Sequence, residues 1–394
     1  MEHAATPLGT TGTNPGFNPT VDNTLPGYEL STLGEMYLQY KNKYVEGKTG
    51  KMQINTPWAG PSDSRIVPSL FQGTYFQGNF TPTVTAGVMY MARFKSRVTS
   101  AFNSNTLLTS CNTINPTGKV PYLGKNVGVP GDPCNAQQTT KGFLAFYGTK
   151  KFANSGLVAN VYNYQIYDIE NLLHIDAKYN YAPKSPANPY MAVQYIAEND
   201  IGRALLGTIH NHTYGFQVGA SLSKNIDGAL SYNNMPQTVN ITNNCTSSVG
   251  GVFGGVKGQA VAGSPGFNYC YGGSVASPYS DSYATDPLFT TTISQGLADV
   301  HKPGSGIKGA LTLQTNNHRW KAIIAQAFYS YGLPVAGGTD NRSETNVDVQ
   351  YFFNAVDPKK PYHGLSIRHR YADRIQTGNP FDFKYNRTQL EFTF

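Results

Sequence analysis

The sequence predicts an all-β fold, a transmembrane antiparallel β-barrel. Three observations point to it. Strand-length segments alternate apolar and polar residues along most of the chain. The connections between them sort by length, short at one end and long at the other. Apolar faces recur that water would not cover, yet no apolar run reaches the roughly 20 residues of a spanning helix. Composition agrees. Charged residues are 13% of the 394, about half the usual share of a soluble domain. Gly 41, Tyr 27 and Phe 20 suit many glycine-punctuated, aromatic-rich strands, and disorder would show few aromatics. A mean hydropathy of -0.36 argues against a helical membrane protein but not against a barrel, whose alternating strands average out.

The elements follow in chain order. "MEHAATPLGTTG" has neither a basic region nor an apolar core, so it reads as no secretory signal. Residues 1–33 are rich in Gly, Pro, Thr and Asn and alternate poorly, which marks an N-terminal loop-like segment before a barrel at 34–394. In "EMYLQYK", Met36, Leu38 and Tyr40 oppose Tyr37, Gln39 and Lys41. In "PTVTAGVMYMARFKSR", Val84, Ala86, Val88, Tyr90, Ala92 and Phe94 share one face, and Thr85, Gly87, Arg93 and Lys95 the other. "LLHIDAKYNY" sets Leu173, Ile175, Ala177, Tyr179 and Tyr181 against His174, Asp176, Lys178 and Asn180. "RWKAIIAQAFYSY" is ambiguous, because Lys321 and Gln326 have opposite parity. "TNVDVQYFF" and "LSIRHRY" alternate cleanly. The chain closes on "RTQLEFTF", with Leu390, Phe392 and Phe394 opposite Arg387, Gln389 and Glu391. The count is about fifteen strands of roughly 8–13 residues, the length that crosses a bilayer at a tilt.

Counted back from Phe394, one set of alternate connections is short: "DPKKPYH", "QTNNH", "SKNID", "PKSPANP", "FANSG", "GNFTP" and "YVEGK". The other set holds the long stretches near 56–68, 98–140, 200–212, 235–305, 332–344 and 374–384, plus a tight turn at Asp168. Such sorting is expected of an outer-membrane barrel and not of a soluble sandwich. Lipid then covers the apolar face of the last strand, and all backbone groups pair within the wall. Cys111 and Cys134 share one long loop, and Cys245 and Cys270 another. Three pairings exist. The two within-loop disulfides are favoured, each closing about 25 residues and stabilising by roughly 3 kcal/mol.

Other chemistries find little support. Net charge is +7, but no basic stripe marks a nucleic-acid partner; "KNKYVEGKTGK" reads as a solvated turn. His210 and His212, placed in a loop, have the spacing of two ligands but lack a third, so no metal is expected. No nucleophile elbow is present, and "GGVFGGVKG" reads as flexible loop rather than a phosphate cradle.

Three segments carry a family resemblance. "PSDSRIVPSLFQGTYFQG" (62–78), "YATDPLFTTTIS" (283–294) and "HGLSIRHRYADR" (363–374) resemble, in order, stretches of the OprD family of substrate-specific outer-membrane porins. The resemblance implies a monomeric 18-stranded barrel in a bacterial outer membrane, with a periplasmic N-terminus. The strand at 35–43 would be the fourth, so about 15 strands are present and three N-terminal ones are not found. It also implies inward-folded loops that narrow the pore, with Asp63, Ser64 and Arg65 in the first and Asp286 in the second.

The implied function is passive, selective diffusion of small carboxylate-bearing solutes, either basic amino acids or aromatic and organic acids, without enzyme activity or cofactor. The implied partners are outer-membrane lipid, lipopolysaccharide and, through Phe394, the barrel assembly machinery. On strand parity, Arg93, Lys95, Arg368, Arg370 and Arg387 face the lumen, where a column of arginines could hand a carboxylate along. Asp176, Asp348 and Glu391 share that face, either to set a transverse field or to neutralise neighbouring cations. The alternative is an adhesin or receptor barrel acting through long loops such as 235–305; an outer-membrane phospholipase or protease lacks a catalytic dyad.

Overall fold

The computed structural model describes residues 34–62, 67–97, 99, 101–107, 139–153, 155–205, 208–238, 270–272, 275, 277–280, 286–298, 303–332, 339–353, 364–377 and 383–393. The strands are β1 (Met36–Lys41), β2 (Val45–Met52), β3 (Leu70–Thr81), β4 (Val84–Lys95), β5 (Phe143–Lys151), β6 (Leu157–Ile166), β7 (Glu170–Asn180), β8 (Tyr190–Asp200), β9 (Thr208–Ser223), β10 (Ile226–Met235), β11 (Cys270–Gly272), β12 (Gly304–Gln314), β13 (Trp320–Gly332), β14 (Thr339–Phe352), β15 (Gly364–Gln376) and β16 (Phe383–Thr393). Every strand pairs with its chain neighbour in one antiparallel meander from β1 to β16. The exception is the short β11, which pairs in parallel with β9, so that β10 passes directly to β12. Among the described residues, β1 and β16 are the two ends of this path.

Side-chain alternation sets the two faces. Leu38, Phe76, Phe146, Val193, Phe216, Leu230, Phe328, Leu390 and Phe392 are exposed on the outer face, as a lipid-facing wall requires. The ambiguous segment becomes β13, with Lys321 inward and Gln326 outward. Gln326 is tolerated there because Thr345 Oγ1 donates to its Oε1 (2.5 Å) and its own Nε2 reaches the Ala327 carbonyl (3.4 Å).

One expectation fails for a local reason. In β4 the pairs Gly73–Met91 and Gln72–Arg93 leave Ala92 unopposed, a bulge that reverses parity beyond it. Phe94 therefore turns inward and packs on Phe71 and Tyr279, with ring centroids 5.1 and 5.3 Å away. Arg93 becomes exposed on the outer parity with Gln72, and Lys95, opposite Leu70, is fully buried with Nζ donating to the Ser96 carbonyl (3.2 Å). Neither belongs to a lumen column. His210 and His212 also move, from an expected loop to the outer face of β9. There the His210 and His212 Nδ1 atoms meet Asn199 Oδ1 (2.9 Å) and Tyr195 OH (2.7 Å).

The core lies inside the curl, at the long-loop end. Trp58, Phe71, Phe94, Phe143, Tyr164 and Tyr279 are buried there by segments folded in from 53–62 and 275–280. Each such side chain contributes about 1.5–3 kcal/mol on burial. Trp58 Nε1 donates to His174 Nδ1 (3.2 Å), and His174 Nε2 lies 3.2 Å from Asp176 Oδ2. The tight turn between β6 and β7 has Asp168 at φ 63, and the Arg203 guanidinium on Asp168 Oδ2 (3.1 Å) holds that carboxyl below its ordinary range.

Candidate functional site: a loop strapped across the lumen

The segment Asp286–Ala298 begins with an Asp-Pro turn. Asp286 Oδ1 accepts from the Leu288 backbone N–H (3.1 Å) and from Thr291 Oγ1. Two further turns, Thr291 N–H to Leu288 O (3.1 Å) and Thr292 N–H to Gln295 O (2.8 Å), fold it compactly. Its backbone groups are then satisfied by inward side chains of successive strands. On β8, Gln194 Nε2 donates to Pro287 O (3.1 Å), and its Oε1 accepts from Phe289 N–H (3.0 Å). Asn233 on β10 accepts from Thr290 N–H (3.0 Å), and Lys308 on β12 donates to Thr291 O (2.6 Å). Tyr329 and Tyr331 on β13 donate to Thr290 O (2.6 Å) and Gly296 O (3.2 Å).

The strongest anchor is on β14. Buried Glu344 accepts from Ser294 N–H (2.9 Å), Ser294 Oγ (2.6 Å) and Asn346 Nδ2 (2.6 Å), while Asn346 Oδ1 takes Ile293 N–H (2.9 Å). Arg374 on β15 finishes the strap, donating to Ser294 O (3.1 Å) and Gln295 Oε1 (3.2 Å).

These bonds fix the shape of the wall. From β8 to β15 is six strand steps, ~29 Å on a flat sheet. From Phe289 to Ser294 the chain reaches at most ~17 Å even when extended, and here it folds back twice. One short loop can touch both strands only because the sheet curls around it.

Asp286 is where the resemblance places a constriction residue. It is buried with Oδ2 unbonded, and burial pushes its carboxyl up to about 6, against the opposing pull of its hydrogen bonds and of Lys308. Asp63, Ser64 and Arg65 lie outside the described residues, as do residues 1–33, Cys111, Cys134, Cys245 and Phe394. Cys270 is described only as the first backbone position of β11.

Of the expected basic residues, Arg368, Arg370 and Arg387 do come together on the inner face, with Arg370 directly opposite Arg387. Arg368 is already held by acids. Its Nε and Nη2 donate to Asp348 Oδ1 (2.8 Å) and Oδ2 (2.6 Å), and Glu391 is 3.5 Å away. Asp348 thus braces its own wall instead of facing the arginines across the passage. Asp176 sits on β7 with His174 and Asn160. Sequence reading passed over Gln194, Asn233, Glu344, Asn346, Arg342 and Arg374. The available signal was polar residues on inward parity in otherwise apolar strands, most clearly Glu344 and Asn346, two apart. It also missed the stacked Tyr147, Tyr162 and Tyr164 on the inner faces of β5 and β6, with centroids 5.7 and 6.1 Å apart.

A wall greasy outside and polar inside, narrowed by its own loop, is the build of an outer-membrane porin. More particularly, the chain belongs to the OprD family: the family model described as outer membrane porin, OprD family, matches residues 9–235. Solved structures agree in fold. OpdK of Pseudomonas aeruginosa, solved with vanillate, is 14% identical with a TM-score of 0.62, over 90% of this chain and 77% of that one. OccK2 (OpdF) of the same organism, in complex with glucuronate, is 13% identical with a TM-score of 0.61, over 90% and 79%. A BenF-like porin from Pseudomonas fluorescens Pf-5 is 12% identical with a TM-score of 0.61, over 89% and 74%. No curated protein matches the chain.

Proposed function

We propose that this porin is a passive channel for small carboxylate-bearing solutes, selective through charge and not through chemistry. One observation carries the reading. On β12 to β16 the register gives inward positions to Lys308, Lys321, Arg342, Arg368, Arg370, Arg374 and Arg387 against Asp340, Glu344, Asp348 and Glu391. That excess of cations lines the half of the passage to which the loop is strapped. A basic wall in a confined aqueous space concentrates anions, and arginine can meet a carboxylate with two hydrogen bonds. Arg370 and Arg387, opposite one another on β15 and β16, carry the basic face on past Arg368, which Asp348 and Glu391 brace. The stacked tyrosines, on β5 and β6, lie nine and eight strand steps from β15 along the curl. They offer an aromatic surface, which favours organic acids carrying a ring. Vanillate and glucuronate, found with two of the neighbours, are both carboxylates.

The test is reconstitution in planar bilayers under a salt gradient. Stepwise conductance with an anion-selective reversal potential, blocked by an aromatic carboxylate, is expected. Asp348→Asn should increase anion selectivity by releasing Arg368. A cation-selective pore would end the proposal, and so would a folded barrel that never conducts.

A further inference from the structure

The lumen wall also carries a cavity far from the strapped loop, at the short-turn end, where β7, β8, β9, β10 and β12 meet. Its volume is about 290 Å³. Its chemistry comes from Lys178, Tyr190, Ser221, Asp227, Asn180 and Thr312. The register puts these side chains on the inner face: Asp227 opposes Ser221, and Tyr190 opposes Gly219.

Gly219 lies beneath the Tyr190 ring. A Cβ there would lie 2.5 Å from the Tyr190 ring, so only glycine lets the ring lie flat along the wall. The Tyr190 hydroxyl is tied down to Gln217 Oε1 (3.2 Å). Lys178 Nζ sits 3.8 Å from the ring centroid, a cation–π contact that places the ammonium at one end of the cavity. Asp227 stands at the other end, its Oδ1 accepting from Ser221 Oγ (2.6 Å). Among the described residues, no ion pair joins Lys178 or Asp227 to any partner, whereas Arg368 is neutralised by two acids. Two opposite charges are thus kept apart across a polar hollow with an aromatic base.

We propose that this cavity is a second docking station for solute, and that it takes a small zwitterion. The carboxylate meets Lys178, the ammonium meets Asp227, and the carbon stem lies on the Tyr190 ring. Asn180 and Thr312 offer hydrogen bonds to the rim of the ligand. The station sits at the short-turn end, so a solute that has passed the loop is held once more, in a fixed orientation, before release. The inference rests on reading the lumen as a solute path.

The experiment uses the reconstituted channel and measures current block by glycine, by acetate and by ethylammonium, each added on the short-turn side. Glycine should block more strongly than either single-charge analogue. Lys178→Gln and Asp227→Asn should each weaken glycine block about tenfold, the loss of one charge-assisted hydrogen bond, and should still open stepwise channels, which shows that the variants are folded. Equal block by glycine and acetate, or glycine block unchanged in both variants, overturns the station while anion conduction still stands. A wild-type channel that passes no organic anion overturns the underlying reading and the station with it.

Discussion

Glu344 is the residue on which the geometry of the passage most depends. It is fully buried and accepts three hydrogen bonds, two of them from Ser294 at the loop's turn. Charge-assisted hydrogen bonds contribute about 1.5–3 kcal/mol each, so the three together reach ~4–9 kcal/mol before relaxation. Glu344→Ala removes the acceptor and strands two donors of Ser294 and one of Asn346 in a buried place. Water entering the gap offsets part of this, and the expected cost is about 3–5 kcal/mol, confined to the loop. That raises the detached fraction of the Ile293–Ser294 turn by about 10²- to 10⁴-fold.

Glu344→Gln provides the control. It makes the same charge change and keeps one oxygen for Ser294 N–H, and its amide can donate to Ser294 Oγ, so it should cost about 1 kcal/mol. Single-channel recording should show higher conductance and more open-channel noise for the alanine variant than for glutamine. Hydrogen exchange at Ile293 and Ser294 should accelerate in the alanine variant alone. If alanine matches glutamine in both conductance and exchange, the carboxylate does not hold the loop.

Two further outcomes are expected. Burial lifts Asp286 to about 6, from 3.8 in the unfolded chain. Its contribution is therefore fully present below pH 3.8 and lost as pH rises through 6, a change of about 3 kcal/mol. The loop should be quietest in acid, and Asp286→Asn should abolish this step in open-channel noise; identical pH curves for both proteins would rule the carboxyl out. Trp58→Phe and His174→Ala each break the same buried indole-to-imidazole hydrogen bond and should each cost ~1–3 kcal/mol locally. Amide exchange over residues 55–60 should quicken in both variants, and acceleration in only one would show that the segment is held in another way.

Much of the wall was legible because a period of two is a strong signal when one side faces lipid. "LLHIDAKYNY" and "LSIRHRY" each sorted correctly, residue by residue. The tight turn at Asp168 and the short connections opposite the long ones also stand as read. What the sequence hid was set by tertiary contact. Nothing in "SETNVD" says that Glu344 and Asn346 meet a turn some fifty residues earlier, because that contact exists only once the sheet has curled. The pairing of Arg368 with Asp348 was equally hidden, since parity tells which face a charge is on but not which neighbour claims it. The histidines were misplaced because β9 continues beyond the span that alternation alone defined.

The unopposed Ala92 in β4 has a wider consequence. It works as a reading-frame slip in the wall, since each side chain between it and the end of β4 changes places with its neighbour. Deleting that single residue would not undo the slip: Met91 would run straight on to Arg93, which keeps its place opposite Gln72 on the lipid side, while Phe94 keeps its place opposite Phe71. In such an architecture, one extra residue decides which of two neighbouring side chains meets acyl chains and which is shut inside, without altering any other amino acid.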